Sequence, residues 1–157
     1  TTHHRVSVSK STEFKLASGQ DTTLWITFSP EESLTLDPNR EDRASIYSYM
    51  GLCLRDMGQY DRALGVLEKA AECDSERTDV YNLKGFCYFK LKDHEKAIRA
   101  FEEVLRLDPT SAIDYANIAS NYRDMGKKDL AVEYYEHALK LDPSIAFAQE
   151  NLQKLRD

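Results

Sequence analysis

Residues 54–63 read LRDMGQYDRA, residues 88–97 read YFKLKDHEKA and residues 122–131 read YRDMGKKDLA, so related phrases start 34 positions apart. A unit of that length recurring in register constrains a chain strongly. Each unit is too small to bury its own apolar face, and the units must stack on one another. Written from Ala44, the chain divides into blocks 44–77, 78–111 and 112–145 and a tail over 146–157. Every block holds two amphipathic segments joined by a tight turn. In the first, Tyr47, Met50, Gly51 and Leu54 fall at i, i+3, i+4 and i+7, and Ala63, Leu67 and Ala70 repeat the pattern, which predicts two helices with one buried face each. Gly58 and Gly126 stand where a left-handed residue closes the first helix, whereas Lys92 occupies that place in the middle block and predicts a different turn there.

These residues resemble the tetratricopeptide repeat, a 34-residue pattern of aromatic-x2-Leu-Gly-x2-Tyr, Ala-x3-Phe and Pro. The chain reads Tyr47-Met50-Gly51-Leu54 with Ala63 and Leu67; Tyr81-Gly85-Tyr88 with Ala97, Phe101 and Pro109; and Tyr115-Ile118-Ala119-Tyr122 with Ala131, Tyr135 and Pro143. The pattern covers about two thirds of the chain and departs at Lys84, Lys92 and Ser75, where leucine, glycine and proline are usual. Small residues at Gly51, Gly85 and Ala119 are expected to let paired helices approach, with Ala63, Ala97 and Ala131 facing them. Leu83 beside Lys84 suggests that the apolar stripe of the middle block is rotated by one position. Asp108-Pro109 and Asp142-Pro143 are punctuation that ends the second helices. The tail keeps Ala148, Leu152 and Leu155 on one face, as a solubilising cap requires. The fold class implied is all-α, a helical solenoid of three helix-turn-helix repeats plus a C-terminal capping helix, with a short β-rich segment before it.

That segment lies within 1–43, read as the end of an upstream domain with its linker. Val6 and Val8, Phe14 and Leu16, then Leu24, Ile26 and Phe28 alternate with polar neighbours, a period of two that predicts strands around the turn SGQD at 18–21. Ser29-Pro30-Glu31-Glu32 reads as a helix start, and Asp37-Pro38 allows the first helix of block 44–77 to begin early. The chain opens TTHHRV without methionine and is expected to be a fragment or a processed piece.

Chemistry is sparse. His3, His4, His94 and His137 read as solvated surface residues, there is no phosphate-cradling glycine loop, and the charges alternate along helices, as in EKAIRAFEEVLR over 95–106. No catalytic residue, metal or cofactor is expected. The net charge of -6 argues against nucleic acid, which demands a basic face, and no apolar run approaches the ~20 residues of a membrane span. Three cysteines, Cys53, Cys73 and Cys87, lack metal-ligand spacing and read as reduced, small hydrophobes, which places the chain in the cytoplasm.

The resemblance implies a concave groove lined by the first helices. Its inward positions in this chain are Ser45, Ser48, Tyr49, Leu52, Arg55 and Asp56; Asp79, Asn82, Leu83, Phe86, Phe89 and Lys90; and Ile113, Ala116, Asn117, Ser120, Arg123 and Asp124, extended by Phe147, Glu150, Asn151 and Lys154 of the cap. Family members that hold chaperone C-terminal carboxylates use a clamp of lysine, asparagine and arginine. The corresponding places here are Ser48, Leu52, Leu83, Ile113 and Asn117, so binding to chaperone tails is not expected. The expected site is an apolar centre of Tyr49, Leu52, Leu83, Phe86, Phe89 and Ile113, with Asn82 and Asn117 bonding a ligand backbone and Arg55 and Arg123 at the edge. Burying two phenylalanines at ~1.5–3 kcal/mol each would supply much of the affinity. The function expected is a scaffold for an apolar or amphipathic peptide or helix of a protein partner. The alternatives are a C-terminal accessory domain of a larger enzyme, and self-association into a homo-oligomer.

Overall fold

The computed structural model of the chain describes residues 14–15, 23–24 and 40–157. The chain divides into two compact units, Thr1–Pro38 and Asn39–Asp157. In the first, β1 (Phe14–Lys15) pairs antiparallel with β2 (Thr23–Leu24), Phe14 opposite Leu24. Four residues do not establish the β-rich segment predicted over 5–28. Its remainder, the SGQD turn and the helix start at Ser29-Pro30 lie outside the described residues.

The described part of the second unit is all helical. It runs α1 (Arg40–Asp56), α2 (Tyr60–Cys73), α3 (Thr78–Lys90), α4 (His94–Leu107), α5 (Ala112–Asp124), α6 (Lys128–Leu141) and α7 (Ala146–Arg156), each helix packed on the next and α1 also on α3. Three helical pairs and a cap therefore stack into a solenoid, and α1 begins ahead of Ala44. The first helix of each pair closes with the same two backbone bonds. Gly58, Lys92 and Gly126 donate to the carbonyls of Arg55, Phe89 and Arg123 at 2.9, 3.0 and 2.9 Å, and the next residues donate to Leu54, Tyr88 and Tyr122. Gly58 and Gly126 have φ of 72° and 74°, and Lys92 adopts 61°. The turn predicted to differ at Lys92 is therefore the same turn, with a side chain held in the left-handed region at a cost of ~1–2 kcal/mol. Packing of α3 on α4 sets the conformation, and the residue conforms.

The helices of a pair approach through the small positions, and the nearest atoms to them belong to a large residue of the second helix. A Cβ on Gly51 would lie 2.4 Å from Leu67 Cδ2, and one on Gly85 would lie 2.6 Å from Phe101 Cε1. The large residue of the second helix thus fills the notch of the first. In the third pair Tyr135 takes that role, fully buried, its hydroxyl 2.7 Å from Ser120 Oγ. Burial pushes its phenol pKa up. Second helices end where Asp74, Asp108 and Asp142 accept the N–H of Glu76, Thr110 and Ser144 at 3.0, 3.0 and 2.9 Å. Asp74 makes this turn without the usual proline, so the aspartate is the common element. Ala148 and Leu152 of α7 close the last core with Ala131, Tyr135 and Ala138.

One expectation about the surface histidines is corrected here. His94 is half-buried at the start of α4, its Nδ1 3.0 Å from Asn121 Oδ1 and its ring edge-on to Phe89 at 6.0 Å. Asn121 donates its amide to the Asn117 carbonyl at 2.9 Å, which leaves Oδ1 as the acceptor and Nδ1 as the donor. His137 is exposed, as expected, yet its ring lies 4.3 Å from that of Tyr115. Cys53 and Cys87 are free thiols, and burial raises both to about 11, so both stay protonated at neutral pH.

Candidate binding groove

The first helices α1, α3 and α5 carry every groove position in the repeats, and their residues fall into two patches. Toward the start of these helices lies a cleft of about 430 Å³, lined by Ser48, Tyr49 and Leu52 of α1, Asp79, Asn82 and Leu83 of α3, and Ser111 and Asp114 at the start of α5, with Arg77, Thr78, Val104 and Asp108 completing the wall. Toward their ends Phe86 is 36% exposed, edge-on to Tyr60 at 6.5 Å, with Arg55 and Lys90 over its ring at 5.2 and 5.3 Å.

The apolar centre expected from sequence is only partly on the surface. Tyr49 and Ile113 are 39% and 45% exposed, and Leu52 is half-buried. Leu83 is 7% exposed, so it belongs to the core and forms the floor of the cleft. Its neighbour Lys84 faces α2, its ammonium reaching Glu68 at 2.6 Å while its stem is covered. Phe89 is half-buried, packing on His94 and on the cluster of Ala97, Ile98, Phe101 and Ile118. Of the two phenylalanines counted toward affinity, Phe86 alone presents its face, and two cations cover it.

The polar positions are occupied by contacts within the chain. Asn82 donates to Asp114 Oδ1 at 2.7 Å, and Asn117 reaches the same oxygen at 3.3 Å. Arg55 and Arg123 pair with their neighbours Asp56 and Asp124 at 2.6 and 2.7 Å. Such exposed pairs contribute little and leave the guanidiniums near the rim. Ser120, on the groove list, is buried against Tyr135.

Aligning the blocks exposes a network that single positions did not reveal. At the α1–α3 junction Ser48 donates to Asp79 Oδ2 at 2.5 Å, and Arg77 grips Asp79 with Nε and Nη2 at 3.0 and 2.9 Å while Nη1 donates to Ser45 Oγ at 2.7 Å. Burial would raise the Asp79 pKa, but the bonds from Arg77 and Ser48 outweigh it and hold the carboxyl below its usual range. The α3–α5 junction uses related parts with the carboxylate moved one position along: Asn82 stands at the place of Ser48 and Ser111 at the place of Arg77, but Ile113 stands at the place of Asp79, and Asp114 beside it accepts from Asn82 and from the Ser111 hydroxyl, the latter on Oδ2 at 2.7 Å. The signal was available as a 34-residue offset between Ser48 and Asn82 and between Arg77 and Ser111.

Among the described residues no group of His, Cys, Asp and Glu could hold a metal ion, and no helix is long and apolar enough to cross a membrane.

Antiparallel helical pairs at a 34-residue period, stacked so that the first helices form one continuous face, define a helical-repeat protein built to present a surface. A family model described as tetratricopeptide repeat matches residues 74–144, and one described as anaphase-promoting complex, cyclosome, subunit 3 matches residues 30–104. Residues 74–144 thus belong to the tetratricopeptide-repeat family, and α1 to α7 have its fold. Solved structures share the fold at low identity. The Arabidopsis OM64 TPR domain superposes with a TM-score of 0.71 at 15% identity, over 74% of this chain and 97% of that one. The first TPR of Spaghetti (RPAP3) bound to the HSP90 peptide SRMEEVD gives 0.70 at 21%, over 79% and 96%. The second TPR domain of human RPAP3 in complex with the HSP70 peptide SGPTIEEVD gives 0.71 at 20%, over 75% and 98%. No curated protein sequence matches the chain.

Proposed function

We propose that the chain is a non-catalytic protein-interaction module whose concave face takes a short peptide segment of a partner. The observation that carries this reading is the open cleft of about 430 Å³, bordered by the exposed ring of Tyr49 and by Leu52, with hydrogen-bonding groups on the opposite wall. Its size and mixture of apolar surface with a few polar groups suit a side chain or two of a ligand. Two of the similar structures hold peptides ending in EEVD in their TPR domains. In this chain the places of the carboxylate clamp hold Ser48, Leu52, Leu83, Ile113 and Asn117, none of them cationic, so the same ligand chemistry does not carry over. Phe86 under Arg55 and Lys90 extends the face beyond the cleft.

The reading is tested by selecting a displayed library of random short peptides on the full chain, then measuring recovered peptides on Tyr49→Ala and Leu52→Ser variants whose helicity is checked by circular dichroism. Binding should fall at least about tenfold on each variant. Recovered peptides that bind both variants unchanged would remove the cleft from the function.

A further inference from the structure

The charges around the cleft do not balance. Asp79 is neutralised by the two-pronged grip of Arg77. Asp114 is 2% exposed, receives hydrogen bonds from Asn82, Ser111 and Asn117, and has no cation beside it among the described residues. The Asp108 carboxylate, on the same wall, accepts the N–H and hydroxyl of Thr110 and has no cation beside it among the described residues. A buried carboxylate is costly unless a positive charge accompanies it, and hydrogen bonds from neutral groups supply part of that compensation. The repeat shows what is missing. At the first junction the residue before the helix is Arg77, which supplies a cation to the carboxylate two positions on; at the second it is Ser111, which supplies only a hydroxyl to the carboxylate three positions on. The cleft opens at that vacancy.

We propose that the cleft is a receptor for a basic side chain, lysine or arginine, of a partner peptide, with Asp114 and Asp108 as its counter-charges. The proposal rests on the groove reading above and names the chemistry of its ligand. The stem of such a side chain lies along Tyr49, Leu52 and Leu83, and its head reaches the carboxylates, as long cationic side chains do where an apolar wall leads to a charge. A carboxylate offers about four acceptor positions and Asp114 uses three, so one bond remains for the ligand, which an ammonium or a single guanidinium N–H satisfies.

The test uses the full chain and the random-peptide library. Peptides should be recovered with lysine or arginine beside an apolar residue. Replacing that basic residue by glutamine, or using the isosteric Asp114→Asn chain, should weaken binding about tenfold or more. Asp108→Asn, which keeps the Thr110 bonds, should weaken it less. Ser111→Arg transplants the cation of the first junction; it should block the peptide while raising the melting temperature. Asparagine at 114 can still accept from Asn82 and meet Ser111, and the glutamine peptide needs no variant at all, so misfolding cannot mask the answer. Peptides that require Tyr49 but ignore the basic residue and Asp114→Asn overturn the inference and leave the groove reading standing. Recovery of no Tyr49-dependent peptide overturns both. Concentration-dependent dimerisation in sedimentation that excludes the peptide puts a second copy in the cleft and also overturns the inference.

Discussion

At the scale of single residues, Lys92 measures how strongly the stack dictates local backbone. Its φ of 61° matches the glycine turns at 58 and 126, although a lysine pays nothing to stay out of that region in the unfolded chain. Lys92→Gly should therefore stabilise the protein by about 1 kcal/mol and raise the melting temperature by about 2–4 °C, read by thermal denaturation; a loss of stability would show that the lysine side chain makes a compensating contact. Sequence indicated a turn at this position correctly and its conformation incorrectly. The conformation belongs to the helix pair, because the carbonyls of Phe89 and Tyr88 have to be satisfied where α4 folds back. His94 teaches the same lesson: its partner Asn121 is 27 residues away, and no local pattern announces that bond.

Helices in a solenoid depend on their neighbours, and α7 is the element with the most at stake. Leu152, 7% exposed, and Ala148, fully buried, cover Tyr135 and the alanines of α5 and α6. Leu152→Ala should cost about 2–5 kcal/mol of local stability. Because repeats couple mainly to adjacent repeats, the loss should be graded along the stack. Hydrogen exchange should accelerate first in α7, then in α5 and α6, with α1 and α2 last. Uniform acceleration from α1 to α7 would mean that the unit folds as one cooperative block. The cap was legible in sequence because Ala148, Leu152 and Leu155 share one helical face, while the identity of what they cover was not.

Over the whole molecule the carboxylates set the acid limit of stability. Asp79, Asp93, Asp108, Asp142 and Glu150 all have lowered pKa values, held down by Arg77 and Ser48 against burial at Asp79, by Lys96 at Asp93, by Thr110 and Ser144 at the two turns, and by Lys154 at Glu150. A folded pKa below the unfolded one means that the unfolded chain takes up protons first. The contribution is complete above the unfolded values near 4 and disappears as pH falls through the lower, folded ones. The melting temperature should hold between about pH 7 and 5 and fall below about 4, with Asp79→Asn flattening part of that fall. A melting temperature that stays level down to about pH 2 would show that these bonds do not distinguish the folded chain.

The sequence by itself determined the period, the helix pairs, their punctuation and the cap, because packing of like units leaves small, large and turn residues at fixed intervals along the chain. Only the tertiary structure decided which groove residues remain on the surface. Leu83 sinks into the floor of the cleft, Phe89 packs on the core with His94, and Asn82 and Asn117 bond Asp114. The bonds of Ser48 to Asp79, of Arg77 to Ser45 and of Asn82 to Asp114 arise only when residues more than thirty positions apart in sequence are brought into contact, whereas Arg77 and Asp79 pair locally at the start of α3.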